Sequence, residues 1–435
     1  MSNDPLYREL YELLCATPTV DAHEHLPSEA EALKRQMDFF SLFEHYCQGD
    51  LVAAGARDED FAFLRDREKP LLERWRRFRP FFSAIRTGGY ARSALLFIRD
   101  VLGFEDLDDS TVGAISQALK EQNKPGLYDR ILRQRCNLAA CVECWILGVE
   151  GLPDYFYHLA PGPELTDVHE PGAIARLEAR HKRSIHTLQD LLEVMTLAVE
   201  QWRANPKVVG IKSAHAYQRS ICFEKRTFHE AEVVFNRLLT HEEHRLSLHE
   251  ALPLQDYLMY QLVARADAVG LAMVFHTGLQ AGNLNRIANA NPLHLQPLLE
   301  EFPRARIDLF HAGMPWVREI AVLAKYFSGV HLNMAWTHII NPAQARSALS
   351  EWLDMVPNTK IFGFGGDYGI VEKVYGHLKL ARQNIAVVLA EKVHEGAYSR
   401  AEAEMVARRL MFDNASTFYR LPALSFQPSA ISRSG

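Results

Sequence analysis

Two histidines, His23 and His25, stand one residue apart in the stretch "TVDAHEHLPS" near the start of the chain. In a β-strand alternate side chains share a side, so both imidazoles would project together while Glu24 turns away. Alone, such a pair reads as two solvated histidines at a polar strand end; with further donors nearby it could hold a metal. Further donors stand at the ends of later apolar runs: Lys212 in "KVVGIK", His276 in "LAMVFH", His311 in "RIDLFH", and Asp367 after "KIFGFGG". Taken singly, each is an ordinary polar residue at a strand end, and "GFGGD" an ordinary turn. Taken together, imidazoles and a carboxylate are borderline donors suited to zinc and its neighbours. A lysine ammonium has no lone pair, but burial near cations favours the neutral amine, which can take up carbon dioxide as a carbamate with ligand oxygens.

Side chains from such distant segments meet only if the fold collects the carboxyl ends of its strands. Residues 26 to about 135 read as almost entirely helical, through segments such as "EKPLLERWRRFRPFFSAI" and "ARSALLFIRDVLGF". Beyond them, short apolar runs alternate with longer segments of helical period, the pattern of βα units and a parallel sheet. Strands are expected at 139–145 "AACVECW", 172–178 "GAIARLE", 207–212 "KVVGIK", 271–276 "LAMVFH", 306–311 "RIDLFH", 329–334 "GVHLNM" and 360–366 "KIFGFGG"; with "TVDAH" first, they make eight. Between them, Leu188, Leu191, Leu192, Met195, Val199 and Trp202 follow the i, i+3, i+4, i+7 rule of an amphipathic helix. "PLQDYLMYQLVARADAVG" carries a similar stripe and stops at a glycine. "SRAEAEMVARRLMFDNASTFY" opens on a capping box of Ser399 and Glu402, and the terminal "SFQPSAISRSG" reads as a loose tail. The expected class is therefore α/β, a (β/α)8 TIM barrel spanning residues 1–435 as one domain, with a large helical insertion at 26–135 after strand 1. Barrels of this kind keep their chemistry at the carboxyl ends of the strands.

The net charge of −6 is spread without long runs of one sign, which argues against nucleic acid or an anionic membrane as partner and leaves a small molecule. "MSNDPLYRELYELLCATPTV" lacks the apolar run of a signal peptide, and no apolar stretch reaches membrane-spanning length, so the cytoplasm is the expected location. Six cysteines in 435 residues make no disulfide framework. Cys141 and Cys144 form a CxxC, but it lies inside "NLAACVECWIL" with no second CxxC, and it reads as a buried strand.

These residues carry a resemblance. "DAHEHL", "GIKSAHAY", "FHTGL", "LFHAGMPW", "GFGGDYG" and "DNASTFYRL" are similar to segments of the amidohydrolase superfamily of metal-dependent barrel enzymes, and within it to the amidohydrolase 2 group related to the N-terminal half of FluG-type proteins. Uronate isomerase is a more distant likeness. The resemblance implies one or two divalent ions, zinc first among them. His23, His25 and Asp367 would hold the more buried ion, His276 and His311 the second, and a carboxylated Lys212 would bridge them. It implies a hydrolase of a small carboxylate-bearing amide or lactone, in which the ion lowers the pKa of bound water to about 7 and Asp367 passes the proton to the leaving group. A non-hydrolytic isomerase or decarboxylase is the alternative, and a barrel that only binds is a third. Tyr217 and Arg219 follow Lys212 on the strand 4 loop, with Arg219 a candidate fork for a substrate carboxylate; Trp316 is a candidate for the pocket wall. Trp75, Arg76, Arg79, Arg86 and Tyr90 of the insertion are candidates for a lid. A homo-oligomer is compatible with all of this. His249 and Glu250 receive no role.

Overall fold

Strand ends and helix caps predicted from residue types recur in the computed structural model, which describes residues 4–144, 151–240 and 245–422. Eight parallel strands follow one another around a barrel in chain order: β1 Thr19–Glu24, β2 Leu138–Cys144, β3 Phe156–Pro161, β4 Val208–Ser213, β5 Ala272–Phe275, β6 Ile307–Leu309, β7 Val330–Asn333 and β8 Ile361–Phe362. β8 meets β1 through backbone bonds just beyond the strand, from Ala22 N–H to the Phe364 carbonyl (3.2 Å), Asp367 N–H to the His23 carbonyl (2.8 Å) and His25 N–H to the Tyr368 carbonyl (3.2 Å). A separate buried cluster of Val20, Ala140, Val142, Leu159, Val274, Phe310 and Phe362 comes from successive strands, the layered filling of a barrel interior.

One strand lies elsewhere than expected. "GAIARLE" at 172–178 is not a strand: Ala173–His181 is a helix that buries Ile174 and Leu177, an i, i+3 pair set among charged residues. The third strand is instead Phe156–Pro161, "FYHLAP", buried along nearly its whole length. Trp145, the end of the expected second strand, and the tail "SFQPSAISRSG" lie outside the described residues. "CVEC" falls in β2 with both cysteines buried and free.

Between β1 and β2 the described chain is helical, with longer helices at Leu71–Ile85, Gly89–Asp100 and Val112–Gln122. Trp75, Phe78 and Phe82 on the first of these interlock with Phe39, Phe40 and Phe43 at centroid distances of 5.1–6.0 Å, the offset and edge-on contacts aromatic rings prefer. The helix Gly89–Asp100 lies against the helix Val371–His394 that follows β8. The approach there is very close, since a Cβ on Gly376 would stand 1.9 Å from the Ser93 carbonyl oxygen and one on Gly89 would stand 2.1 Å from that of Ile339. The insertion is thereby seated directly on the segments that carry the site. Of its proposed lid residues, Trp75 is buried and bonded to Asp109, Arg76 is exposed, Arg79 pairs with Asp109 and Arg86 with Asp106; Tyr90 stacks over Trp336 at 6.2 Å.

Candidate metal centre

At the carboxyl end of the barrel, the Asp367 carboxylate receives two imidazoles on one oxygen, His23 Nε2 and His25 Nε2, each at 3.2 Å. A ligand atom from each of the three lies within 4.8 Å of the others, a group that could hold a metal ion. The backbone pattern explains the convergence. A strict period of two would put Asp21 on the face of His23, but the register between β1 and β2 is irregular between Asp21 and Glu24. Asp21 and Glu24 thereby come together on one side and the histidines on the other.

The two acids hold the turn that presents Asp367. Asp21 Oδ1 accepts from the N–H groups of Gly366 (2.9 Å) and His23 (3.3 Å), and Glu24 Oε2 accepts from Tyr368 N–H (2.6 Å). Burial raises both carboxyls, Asp21 to about 7 and Glu24 well above its usual range, as expected for adjacent acids that cannot both ionise. A Cβ on Gly366 would stand 1.8 Å from Glu24 Oε1, and Glu24 is fully buried. Gly366→Ala is therefore expected to destabilise the protein by about 3 kcal/mol, the upper end of ordinary overpacking, and to lower the thermal midpoint. An unchanged midpoint would show that Glu24 does not fix this turn.

Burial pushes the His23 pKa well below the ordinary histidine value, leaving a neutral ring at neutral pH, the form that ligates. Burial alone would raise the Asp367 carboxyl; the imidazoles of His23, His25 and His311 reverse this and hold it well below the usual range. Neutral imidazoles and an ionised carboxylate are the donors a divalent ion of the zinc type takes, so the residues present fit such an ion.

The other expected ligands are arranged differently. His311 Nε2 and His276 Nδ1 lie 3.0 Å apart, His311 Nδ1 sits 3.1 Å from the Ala335 carbonyl and 3.7 Å from Asp367 Oδ2, and His276 Nε2 bonds the Leu279 carbonyl at 3.0 Å. Lys212 is buried, its Nζ makes no hydrogen bond among the described residues, and burial lowers its pKa to about 8. The ammonium lies 3.6 Å from the centre of the Phe310 ring, which also packs on His23 at 4.4 Å. Lys212 and His23 thus pack on the same ring.

Tyr217 is brought to the site, its ring 4.6 Å from that of His276 and its side chain 40% exposed. Arg219 is not: it is buried, with hydrogen bonds to Ser220, Gln255 and Cys222 and an ion pair of 2.6 Å with Asp256, so its fork is already occupied by the protein. Trp316 is half-buried on the loop after His311. The tryptophan that reaches His311 is Trp336, at 5.4 Å.

The insertion adds residues that motif reading missed. Tyr46 stacks on Trp336 at 4.3 Å, with Tyr90 stacked beyond at 5.7 Å. Burial, then the charge of Asp367, raises the Tyr46 phenol well above its usual pKa, so it stays protonated. His45 beside it lies 6.0 Å from Tyr368. His45, His311, Trp336 and Asp367 all have positive φ, between 61° and 64°, a conformation costly for residues with a Cβ and concentrated at functional sites. "FEHYC" gives one sequence signal, a His-Tyr pair inside an apolar segment.

The comparisons agree with this geometry. The sequence family described as amidohydrolase matches residues 198–421. The protein fluG of Emericella nidulans is 26% identical over 227 residues, which are 50% of this chain and 26% of that protein, so the chain spans about a quarter of this relative's length. A glucuronate isomerase from Caulobacter crescentus superposes with a TM-score of 0.80 at 18% identity, covering 98% of each chain. A uronate isomerase from Thermotoga maritima gives 0.78 at 16% identity, covering 96% of this chain and 98% of the other. Likeness at this identity establishes the barrel fold alone.

Proposed function

The chain belongs to the amidohydrolase family, and from that premise we propose that it is a metal-dependent hydrolase of small carboxylate-bearing amides or lactones. The observation that carries this reading is the convergence of His23, His25 and Asp367 on one point at the barrel mouth. These three would hold one divalent ion, zinc by the softness of their donors. When bound, such an ion polarises a substrate carbonyl and makes hydroxide available near neutral pH. The second ion and the carboxylated Lys212 are not needed by this reading, because His276 and His311 bond each other and the backbone and Lys212 faces Phe310.

The protein's own groups divide the remaining work. Asp367, held ionised, accepts the proton of the attacking water and returns it to the leaving group. His25, whose side chain is 31% exposed, marks the open side of the ligand set. Tyr217 and Tyr46 supply aromatic walls, Tyr46 also keeping a phenolic proton near Asp367. The substrate is taken to be a small anion, and the protein to act in the cytoplasm; no helix among the described residues is long and apolar enough to cross a membrane.

A second reading, isomerisation of a sugar acid, is favoured by one observation: the insertion delivers the Tyr46 phenol to Asp367, and the proteins named as uronate and glucuronate isomerases superpose on 96% and 98% of this chain. Turnover in oxygen-18 water separates the two. Hydrolysis is expected to place solvent oxygen in the new carboxylate of the product. An isomeric product of unchanged formula, with solvent hydrogen exchanged at carbon, would overturn the hydrolase reading; release of carbon dioxide would mark a decarboxylase.

A further inference from the structure

Beside the ligand set, the insertion and the β8 loop enclose a depression of about 490 Å³ that the proposed chemistry does not use. Three guanidiniums line it, those of Arg35, Arg65 and Arg67, against one carboxylate, that of Glu44. Arg65 pairs with Glu44 at 2.8 Å. Arg67 shares Asp38 with the buried Arg74, two guanidiniums on one carboxylate, which leaves one positive charge over. Arg35 donates to the Gly369 carbonyl and makes no salt bridge among the described residues; the buried Glu372 lies within reach of its charge. Burial lowers the His45 pKa to about 4, so His45 adds no charge at neutral pH. The lining therefore has positive charge in excess, on a chain whose net charge is −6, and a concave surface of one sign concentrates ions of the other.

The inner wall of this depression belongs to the site. His45 and Gly369 line it; Gly369 follows Asp367 on the β8 loop, and a Cβ there would stand 3.7 Å from the His25 carbonyl oxygen. His45 feels the charges of both Asp367 and His25. A molecule lying in the depression thus has one end among arginines and the other against His45 and the β8 loop that carries Asp367.

We infer that the depression is the subsite for an oxyanion arm of the substrate, a carboxylate or a phosphate, gripped by Arg35 while the reacting bond lies at Asp367; this rests on the hydrolase reading for the identity of that bond. Arg35 suits the task because one nitrogen is anchored on the Gly369 carbonyl and its other donors have no partner among the described residues, and a guanidinium offers a planar fork to either group. The arm thereby reports on the substrate class, a molecule long enough to carry an anionic group well away from the bond that reacts. The anion pairing expected of Arg219 falls to the insertion instead.

The test uses metal-free, full-length protein, titrated calorimetrically with glutarate and with inorganic phosphate at equal ionic strength. In the absence of metal, ionised Asp367 repels anions from the ligand set, so binding reports the arginine pocket. At least one probe is expected to bind wild type, and Arg35→Met is expected to weaken it tenfold or more, with Arg35→Lys intermediate; the tighter probe identifies the group. Arg35 is exposed, so the fold is expected to survive, which circular dichroism checks. Absence of binding to wild type by both probes, or undiminished binding to Arg35→Met, overturns the inference. No turnover enters the measurement, so failure of the hydrolase reading would appear in the oxygen-18 experiment alone.

Discussion

Asp367→Asn is expected to fold, to retain part of its metal affinity and to lose about 100-fold or more in kcat, the range for a lost general base. The substitution is well matched to its position. Asp367 has φ 61°, and asparagine is among the few residues with a side chain that adopt the left-handed region readily, so the backbone gains no strain. The amide keeps an oxygen within reach of His23 and His25. It loses the charge that those imidazoles hold in place and with it the capacity to accept a proton at neutral pH. Steady-state rates on the eventual substrate, with circular dichroism as the fold control, provide the measurement. Turnover near the wild-type rate would remove Asp367 from the proton pathway.

His23→Ala is expected to abolish stoichiometric metal binding. His23 is the buried histidine of the three donors, and its ring is positioned by Phe310 at 4.4 Å and by the bond from its own N–H to Asp21. Removing it leaves two donors and a void, too few to hold an ion with the usual tetrahedral set. In wild type, an ion present at a hundredfold its dissociation constant stabilises the fold by about 2.7 kcal/mol, so added zinc is expected to raise Tm. The variant is expected to show neither the bound ion by elemental analysis nor the zinc-dependent rise. Full occupancy in His23→Ala would mean that the ion sits elsewhere.

Much of this site was legible because it is built from strand ends. His23, His25, His276, His311 and Asp367 each close an apolar run that is short and bounded, and a barrel brings such ends to one mouth. What was not legible depends on contacts between distant segments. Arg219 looked free because its partner Asp256 lies on the helix Leu248–Val269. Nothing in "GIKSAH" announces that Phe310 will pack against the Lys212 ammonium. Tyr46 and Trp336 carry no motif, and they meet only because glycines at 89 and 376 let the insertion lie flat on the barrel. The third strand was misplaced for a local reason: "AIARLEARH" has apolar residues at helical spacing, and the aromatic run "FYHLAP" was the better β signal.

The seam between β1 and β8 has one more implication. The bonds that close the barrel there run through His23, His25 and Asp367 themselves, with Asp21 and Glu24 fastening the same turn from behind. Clasp and reaction centre are thus a single stretch of backbone. A change that slackens this stretch therefore loosens the cylinder and the ligand set at once.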